Sequence, residues 1–406
     1  MDLPPEEAPR GVRLAPGGEL AQRIAGRIEQ AGGWIGFDAF MAMALHEPGS
    51  GYYAGGAAKF GQGGDFVTAP GLSPLFARCL AVQVSQWFAD HPELPRRVVE
   101  FGAGDGALAG ELIAALDAAG TPVAEYAIVE LSGELRARQR ETVARRLAAG
   151  DAVVRWWDTL PQGIEGCVIG NELLDAMPVR LFRVAAGQAF ERGVSLSGAR
   201  FAFSDRPADG AFAAEIDAVL DAGFSDAMPD WRAHATRPAF DYVSELPEQG
   251  SAWVREVGSR LSRGALLLLD YGFPRAEFYH PQRRGGTLMA HRRHRAHGDV
   301  LAEPGMQDIT AHVDFSAVAS AGEAAGLALA GYTSQARFLL NCGLLDAFSR
   351  EQSSAAGVVD KARQAQAVQT LLSEAEMGEL FKAIAFVRGI DAASVGFAQG
   401  DRSHRL

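Results

Sequence analysis

The apolar positions along this chain change period twice. Helical spacing predicts helices over residues 20–31 and 37–45, and a longer one over 74–89. Between them lies a glycine-rich segment, 51–70, where glycine permits tight turns and close approach of backbone to a ligand. From residue 97 short apolar strands (98–101, 127–129, 153–156, 167–169) alternate with helices (107–116, 134–148). This βαβα alternation predicts a parallel sheet covered by helices on both faces. Residues 179–184, 190–196 and 200–203 break it. They are short strands separated by glycine-containing turns, which predicts an antiparallel meander inserted after the fourth parallel strand. The doubly wound pattern resumes with a helix at 253–261 and a buried strand at 265–269, followed by a polar insertion over 273–312. A helix at 315–325, a strand at 327–331, further helices and a last strand at 383–387 complete it. The expected organisation is a helical and glycine-rich lid segment (1–92), the first half of the core (93–178), the inserted meander (179–245) and the second half of the core (246–406).

Composition narrows the class. The 406 residues are 48% apolar and 22% charged, enough for a sizeable core, and the net charge of −12 argues against a general nucleic-acid binder. Cys79, Cys167 and Cys342 are far apart, which excludes a disulfide framework or a cysteine-based zinc site. The apolar run 265–269 stops at Asp270, far short of the ~20 residues of a spanning helix, so no membrane insertion is expected. Met1-Asp2-Leu3-Pro4-Pro5-Glu6-Glu7 is acidic and proline-rich, unlike a signal or transit peptide, and the expected location is cytoplasmic.

The chemistry starts at Glu100-Phe101-Gly102-Ala103-Gly104-Asp105-Gly106. The three glycines lie between a predicted strand and a predicted helix, whose N-terminus offers unpaired N–H groups to a ligand. Gly102-x-Gly104-x-x-Ala107 also satisfies the dinucleotide fingerprint, which keeps a nicotinamide or flavin enzyme in view. Glu100 tilts the balance towards S-adenosylmethionine (SAM). A carboxylate at the strand end can meet a methionine ammonium, whereas Glu100 and Asp105 together would repel a pyrophosphate. Glu130 ends the next strand and can accept both ribose hydroxyls, and Asp158, beside Trp156 and Trp157, can accept the adenine amino group.

A second constellation, Gly170-Asn171-Glu172-Leu173-Leu174-Asp175-Ala176-Met177-Pro178, follows the fourth strand. Ligands of open α/β sheets bind outside the carboxyl ends of the strands, so this loop should face the reacting methyl group. Glu172 and Asp175 are three residues apart and fall on one side of a helical turn. Two such carboxylates can grip a planar guanidinium, orient its nitrogen and take its proton. A capping role for Asn171 or Asp175 is the structural alternative. Asp270 ends the fifth strand at the same ligand edge, and Asp65 and Thr68 become polar contacts if residues 64–70 fold over the cofactor.

These motifs, with Leu269-Asp270-Tyr271-Gly272, Gln307-Asp308-Ile309-Thr310-Ala311-His312-Val313-Asp314-Phe315, Phe60 to Pro70 and Gly286-Thr287-Leu288, occur in order and resemble the MidA-like methyltransferases. The resemblance implies a Rossmann-like class I SAM methyltransferase fold. In its mitochondrial branch it also implies protein arginine methylation on a complex I subunit, in support of assembly. It marks Glu100, Gly102, Gly104, Gly106 and Glu130 as SAM contacts and sets Asn171 and Glu172 near the methyl group. Gly71 departs from the pattern, where a larger, often acidic residue is expected.

The expected enzyme is therefore a SAM-dependent methyltransferase acting on a protein side chain, with Glu172, Asp175 and Asp270 in catalysis. Glu100, Gly102, Gly104, Gly106, Glu130, Asp158, Asn171, Asp65 and Thr68 would bind the cofactor, and no metal is expected. A non-catalytic SAM-binding assembly factor and an NAD(P)-dependent oxidoreductase are the alternatives. His291, His294 and His297 recur every three residues, a step that drifts off one helical face, among arginines that would repel a cation. With Arg283 and Arg284 they make a basic insertion on an acidic protein, read as a solvated loop or a contact for an acidic partner. The sequence leaves the oligomeric state open.

Overall fold

A computed structural model describes residues 18–54, 68–147, 152–293, 295–354 and 357–406. The chain forms two compact units, neither contiguous in sequence. One lies within residues 58–175, 249–278 and 312–406, the other within 1–57, 176–248 and 279–311.

The first unit is built on one twisted sheet. In chain order its strands are β1 Arg97–Phe101, β2 Glu125–Val129, β3 Val153–Trp157, β4 Ile164–Asn171, β5 Leu261–Phe273, β6 Ala328–Ser334 and β7 Phe381–Arg388. The spatial order is β6-β7-β5-β4-β1-β2-β3. β5, β4, β1, β2 and β3 run parallel. β7 enters antiparallel between β5 and β6. Central parallel strands are covered on both faces, which is why β4 and β5 read as unbroken apolar runs rather than alternations. Val168, Ile169 and residues 265–269 are fully buried. Three helices lead to the site: α1 Pro74–Asp90, α2 Ala107–Ala118 after β1, and α3 Gly133–Arg146 after β2. Ser73 caps α1 by accepting from Leu75 N–H at 3.2 Å, with Pro74 at the first helical position, where its missing N–H costs nothing. Val313–Asp314 extends the sheet beside the end of β5. Asp314 then caps helix Phe315–Ala324 through the N–H groups of Ser316 and Ala317, while its other oxygen pairs with Arg275.

The second unit is an antiparallel sheet. Arg180–Ala185, Gln188–Ser197 and Arg200–Pro207 form the expected meander, and Trp34–Gly36 and Asp241–Leu246 join it as further strands. Between the third and last of these lie helices Gly210–Phe224 and Trp231–Ala235. Phe212, Ile216, Leu220 and Phe224 recur every four residues and are all buried, the helical period that the strand alternation beside it obscures. The polar insertion carries a small sheet of its own, Met289–Arg292, Arg295–His297 and Asp308–Thr310. Buried Glu245 organises its approach: one carboxylate oxygen accepts from Thr287 N–H at 2.6 Å and Leu288 N–H at 3.0 Å. That grip explains Gly286-Thr287-Leu288, since a side chain on Gly286 would collide with Glu245. His291 and His297 lie on the paired strands of this hairpin, and His294 falls outside the described residues. Among the described residues no helix is long and apolar enough to cross a membrane, and no group of three or more metal-ligating side chains assembles.

Candidate active site

The site residues gather at the carboxyl ends of β1 to β5. After β1 the backbone turns through Gly102, Gly104 and Gly106, all left-handed (φ 66°, 54° and 86°). This conformation is open to glycine at little cost. At Gly106 space forbids a side chain as well, because a Cβ there would lie 3.0 Å from the Gln139 Cα. Gly106, the N-cap of α2, has no side chain to cap it, and beyond Ala107 the N–H groups of a first helical turn are the ones that suit a ligand. Asp105 is spent within the turn, accepting from Ala107 N–H at 3.1 Å.

Glu100 is only 2% exposed and accepts a 2.7 Å hydrogen bond from the Tyr126 hydroxyl. Burial pushes its carboxyl up to about 7, against the lowering effect of that bond and with a further rise from nearby Asp105. It is a buried acid at the end of β1, not a solvated one. Glu130 stands at the end of β2, where Oε1 accepts from Ser132 N–H at 2.8 Å and Oε2 from Gln139 Nε2 at 3.2 Å. Arg136 donates to the carbonyls of Glu130 and Trp157 and pairs with Asp158, joining the ends of β2 and β3. Asp158 keeps 73% of its side chain exposed.

The loop after β4 is shaped by Asp270, which is 1% exposed. Its Oδ2 accepts from the N–H groups of Leu173, Leu174 and Asp175 at 3.0, 2.8 and 3.4 Å, and its Oδ1 from Tyr271 N–H at 2.9 Å. Burial, then the charges of Asp175 and Glu172, hold the Asp270 carboxyl well above the usual range, against the hydrogen bonds from Leu174 and Tyr271. Asp270 thus fixes the loop rather than capping a strand. Asp175 is buried and accepts from the Tyr271 hydroxyl at 2.7 Å. Tyr271 meets the His312 ring edge-on at 5.2 Å, which brings His312 of the downstream motif to this edge.

Glu172 adopts a left-handed backbone (φ 51°), costly for a residue with a side chain and characteristic of sites where geometry outranks comfort. Its N–H donates to Leu269 O at 2.9 Å. Its Oε1 accepts from Asn171 Nδ2 at 3.1 Å and from Ala69 N–H at 3.2 Å. Ala69 opens the short helix Ala69–Leu72, with Thr68 at its N-cap, so two motifs about a hundred residues apart meet at one carboxylate. Asp65 lies outside the described residues. Asn171 is 7% exposed, and its Oδ1 has no hydrogen-bond donor among the described residues.

Sequence reasoning passed over Gln139, Tyr126, Arg136, Tyr271 and His312. Tyr271 and His312 stood inside recognised motifs. Gln139, Tyr126 and Arg136 carry no local signal, because their partners come from other strands.

An open sheet with β7 antiparallel between β5 and β6, a glycine turn after β1 and acids after β1, β2 and β4 define a Rossmann-like SAM methyltransferase. The chain belongs to the family described as "Putative S-adenosyl-L-methionine-dependent methyltransferase", which it matches over residues 77–333. A Burkholderia thailandensis protein whose crystal structure holds S-adenosyl-homocysteine (SAH) is 53% identical, covers 95% of this chain and 96% of its own, and superposes with a TM-score of 0.86. Among curated proteins, the Drosophila melanogaster protein arginine methyltransferase NDUFAF7 homolog, mitochondrial, is 27% identical over 96% of this chain and 90% of its own length. The Homo sapiens protein arginine methyltransferase NDUFAF7, mitochondrial, is 28% identical over 75% and 69%. SAM is the cofactor, which closes the dinucleotide alternative. The residues present suit it: a left-handed glycine turn at a helix N-terminus, and a strand-end carboxylate, Glu130, with a donor fixed on each oxygen.

The expectation of a cytoplasmic location is corrected by the two curated relatives, whose names place them in mitochondria. That expectation leaned on composition and on the want of an apolar span, which bear on membrane crossing and not on compartment. Its other support, residues 1–7, lies outside the described residues.

Proposed function

We propose that this methyltransferase acts on a nitrogen of a protein side chain, with arginine as the acceptor. The observation that carries the reading is Asn171: a buried amide oxygen with no donor among the described residues, beside a carboxylate held in a strained backbone. A buried acceptor without a partner is costly, and an incoming N–H group satisfies it. Bound SAM supplies an electrophilic methyl group on a sulfonium. The acidic loop supplies orientation and proton transfer. Asn171 Oδ1 accepts one N–H of the guanidinium, and Glu172 draws positive charge away from the attacking nitrogen. As the nitrogen–carbon bond forms, the methyl carbon–sulfur bond breaks and its electron pair stays on the sulfur of departing SAH, while Glu172 takes the proton that the nitrogen releases. Asp175, aligned by Tyr271, adds negative charge to the pocket, and Asp270 acts as a positioning residue through the loop backbone. Glu100, the glycine turn, Glu130, Asp158 and Thr68 form the cofactor side. The names of the curated relatives support arginine as acceptor, and the family resemblance directs the search to a subunit of respiratory complex I.

The test is transfer of label from methyl-tritiated SAM to proteins of a lysate, followed by mass spectrometry of the labelled band. Methyl-arginine is expected, and a methyl group on another residue type rejects arginine. Glu172→Gln should lower labelling at least a hundredfold, in the upper range for a positioned acid–base group, while calorimetry shows SAH affinity within about twofold of the wild type. Undiminished labelling removes Glu172 from catalysis. SAH binding without labelling by the wild type turns the reading to a non-catalytic assembly factor.

A further inference from the structure

We propose that Gln139 is the positioning residue of the cofactor side, setting the Glu130 carboxylate for the ribose so that recognition of the 2′-hydroxyl runs through a buried amide. The inference rests on reading Glu130 as the ribose acceptor.

Gln139 lies midway along α3 and is 0% exposed. Trp156 Nε1 donates to its Oε1 at 2.9 Å. An indole N–H can only donate, so the amide oxygen must face Trp156. The amide nitrogen is thereby turned to the opposite side, where it donates to Gly104 O at 3.0 Å and to Glu130 Oε2 at 3.2 Å. Exchanging the amide's oxygen and nitrogen would set donor against donor at Trp156 and acceptor against acceptors at the other two. One orientation satisfies all three contacts.

That orientation joins three strand ends. Trp156 belongs to β3, Glu130 follows β2, and Gly104 is the middle glycine of the turn after β1. With Ser132 N–H on Oε1 and Gln139 on Oε2, each carboxylate oxygen of Glu130 has one fixed donor and keeps lone-pair capacity for a hydroxyl. The backbone of α3 closes on the turn at the same residue, where a Cβ on Gly106 would sit 3.0 Å from Gln139 Cα. Ribose recognition and the shape of the glycine turn therefore share one side chain.

The test titrates SAH and its 2′-deoxy analogue by calorimetry into the wild type, Gln139→Met and Glu130→Gln. Methionine keeps the length and volume of glutamine and removes the amide. Gln139→Met should weaken SAH binding by about tenfold and the deoxy analogue by less than about threefold, so that the preference for the hydroxyl shrinks. Equal weakening of both ligands, or no change in either, overturns the proposal. Glu130→Gln reports on the reading beneath it: if that variant keeps the full hydroxyl preference, the ribose does not lie on Glu130, whatever Gln139→Met does. Should Gln139→Met lack a cooperative thermal transition, Trp156→Phe takes its place. It keeps a ring and removes the N–H that orients the amide. A reduced hydroxyl preference then supports the proposal, and an unchanged one overturns it.

Discussion

The turn after β1 and the loop after β4 occupy equivalent places at the ends of neighbouring strands, yet they are held by opposite means. The turn is shaped from within: three left-handed glycines make the curve, and a neutral amide, Gln139, braces it. The loop is shaped from outside, because one carboxylate of β5, Asp270, gathers three of its N–H groups. A backbone that curves through glycine presents N–H groups to a ligand and needs little charge. A backbone gathered on a buried carboxylate takes its shape from a side chain of another strand, and holds Glu172 in a conformation it would not choose alone.

If the loop depends on Asp270 as described, removing that side chain has the largest effect. Asp270→Ala leaves the N–H groups of Leu173, Leu174 and Asp175 without their acceptor in a buried site. Stability should drop by about 3 kcal/mol, read as a fall in the urea midpoint, and labelling should be lost with it. A folded Asp270→Ala variant with wild-type midpoint and activity would show that the loop holds its own shape.

The same contrast explains what could be read from the sequence. The turn was legible because its conformation requires glycine, and glycine at three alternate positions is visible in one dimension. β4 and β5 were legible because burial on both faces demands an apolar run. Gln139 was not legible: α3 is polar almost throughout, with Gln139 and Val143 as its buried residues, so a glutamine there reads as solvated surface. Asp270 was placed at the ligand edge, but its part depends on backbone donors 95 to 97 residues away. Helix Gly210–Phe224 was masked by the strands before it, and the strands at 289–297 carry arginine and histidine where alternation would normally show. Local patterning pointed to the cofactor turn and to the acidic loop of Glu172 and Asp175, but not to the contacts that shape that loop, because these come from residues distant in sequence.

A second way to sharpen the comparison uses the one acid buried on the turn side. The folded chain keeps the Glu100 proton up to about pH 7, whereas an unfolded carboxyl releases it near the ordinary 4.5. Folding therefore binds a proton between those values. The contribution of Glu100 is fully present below the lower one, declines as pH rises, and is lost above the upper one. Glu100→Gln should remove about 2 to 3 kcal/mol of the fall in stability between pH 5 and pH 8, measured by urea unfolding at each pH. If Glu100 also answers the ammonium of the cofactor, SAH binding near neutral pH releases a proton. Calorimetry in two buffers of different ionisation enthalpy detects it, and the signal vanishes in Glu100→Gln.

The smallest effect concerns the price of the strained backbone at Glu172. Its φ of 51° is one that glycine adopts freely, and Glu172→Gly relieves it. The substitution also removes the carboxylate that accepts from Asn171 and Ala69, which offsets part of the gain. Relief of a left-handed residue contributes about 1 kcal/mol, so the variant should match or slightly exceed wild-type stability while methyl transfer is abolished. Few substitutions that delete two hydrogen bonds leave a protein as stable as before. That outcome would show that the acceptor loop holds Glu172 in place for chemistry at the expense of the fold. Marked destabilisation by Glu172→Gly would instead make its bonds to Asn171 and Ala69 the reason for the conformation, and the two strand-end segments would then differ less than their geometry says.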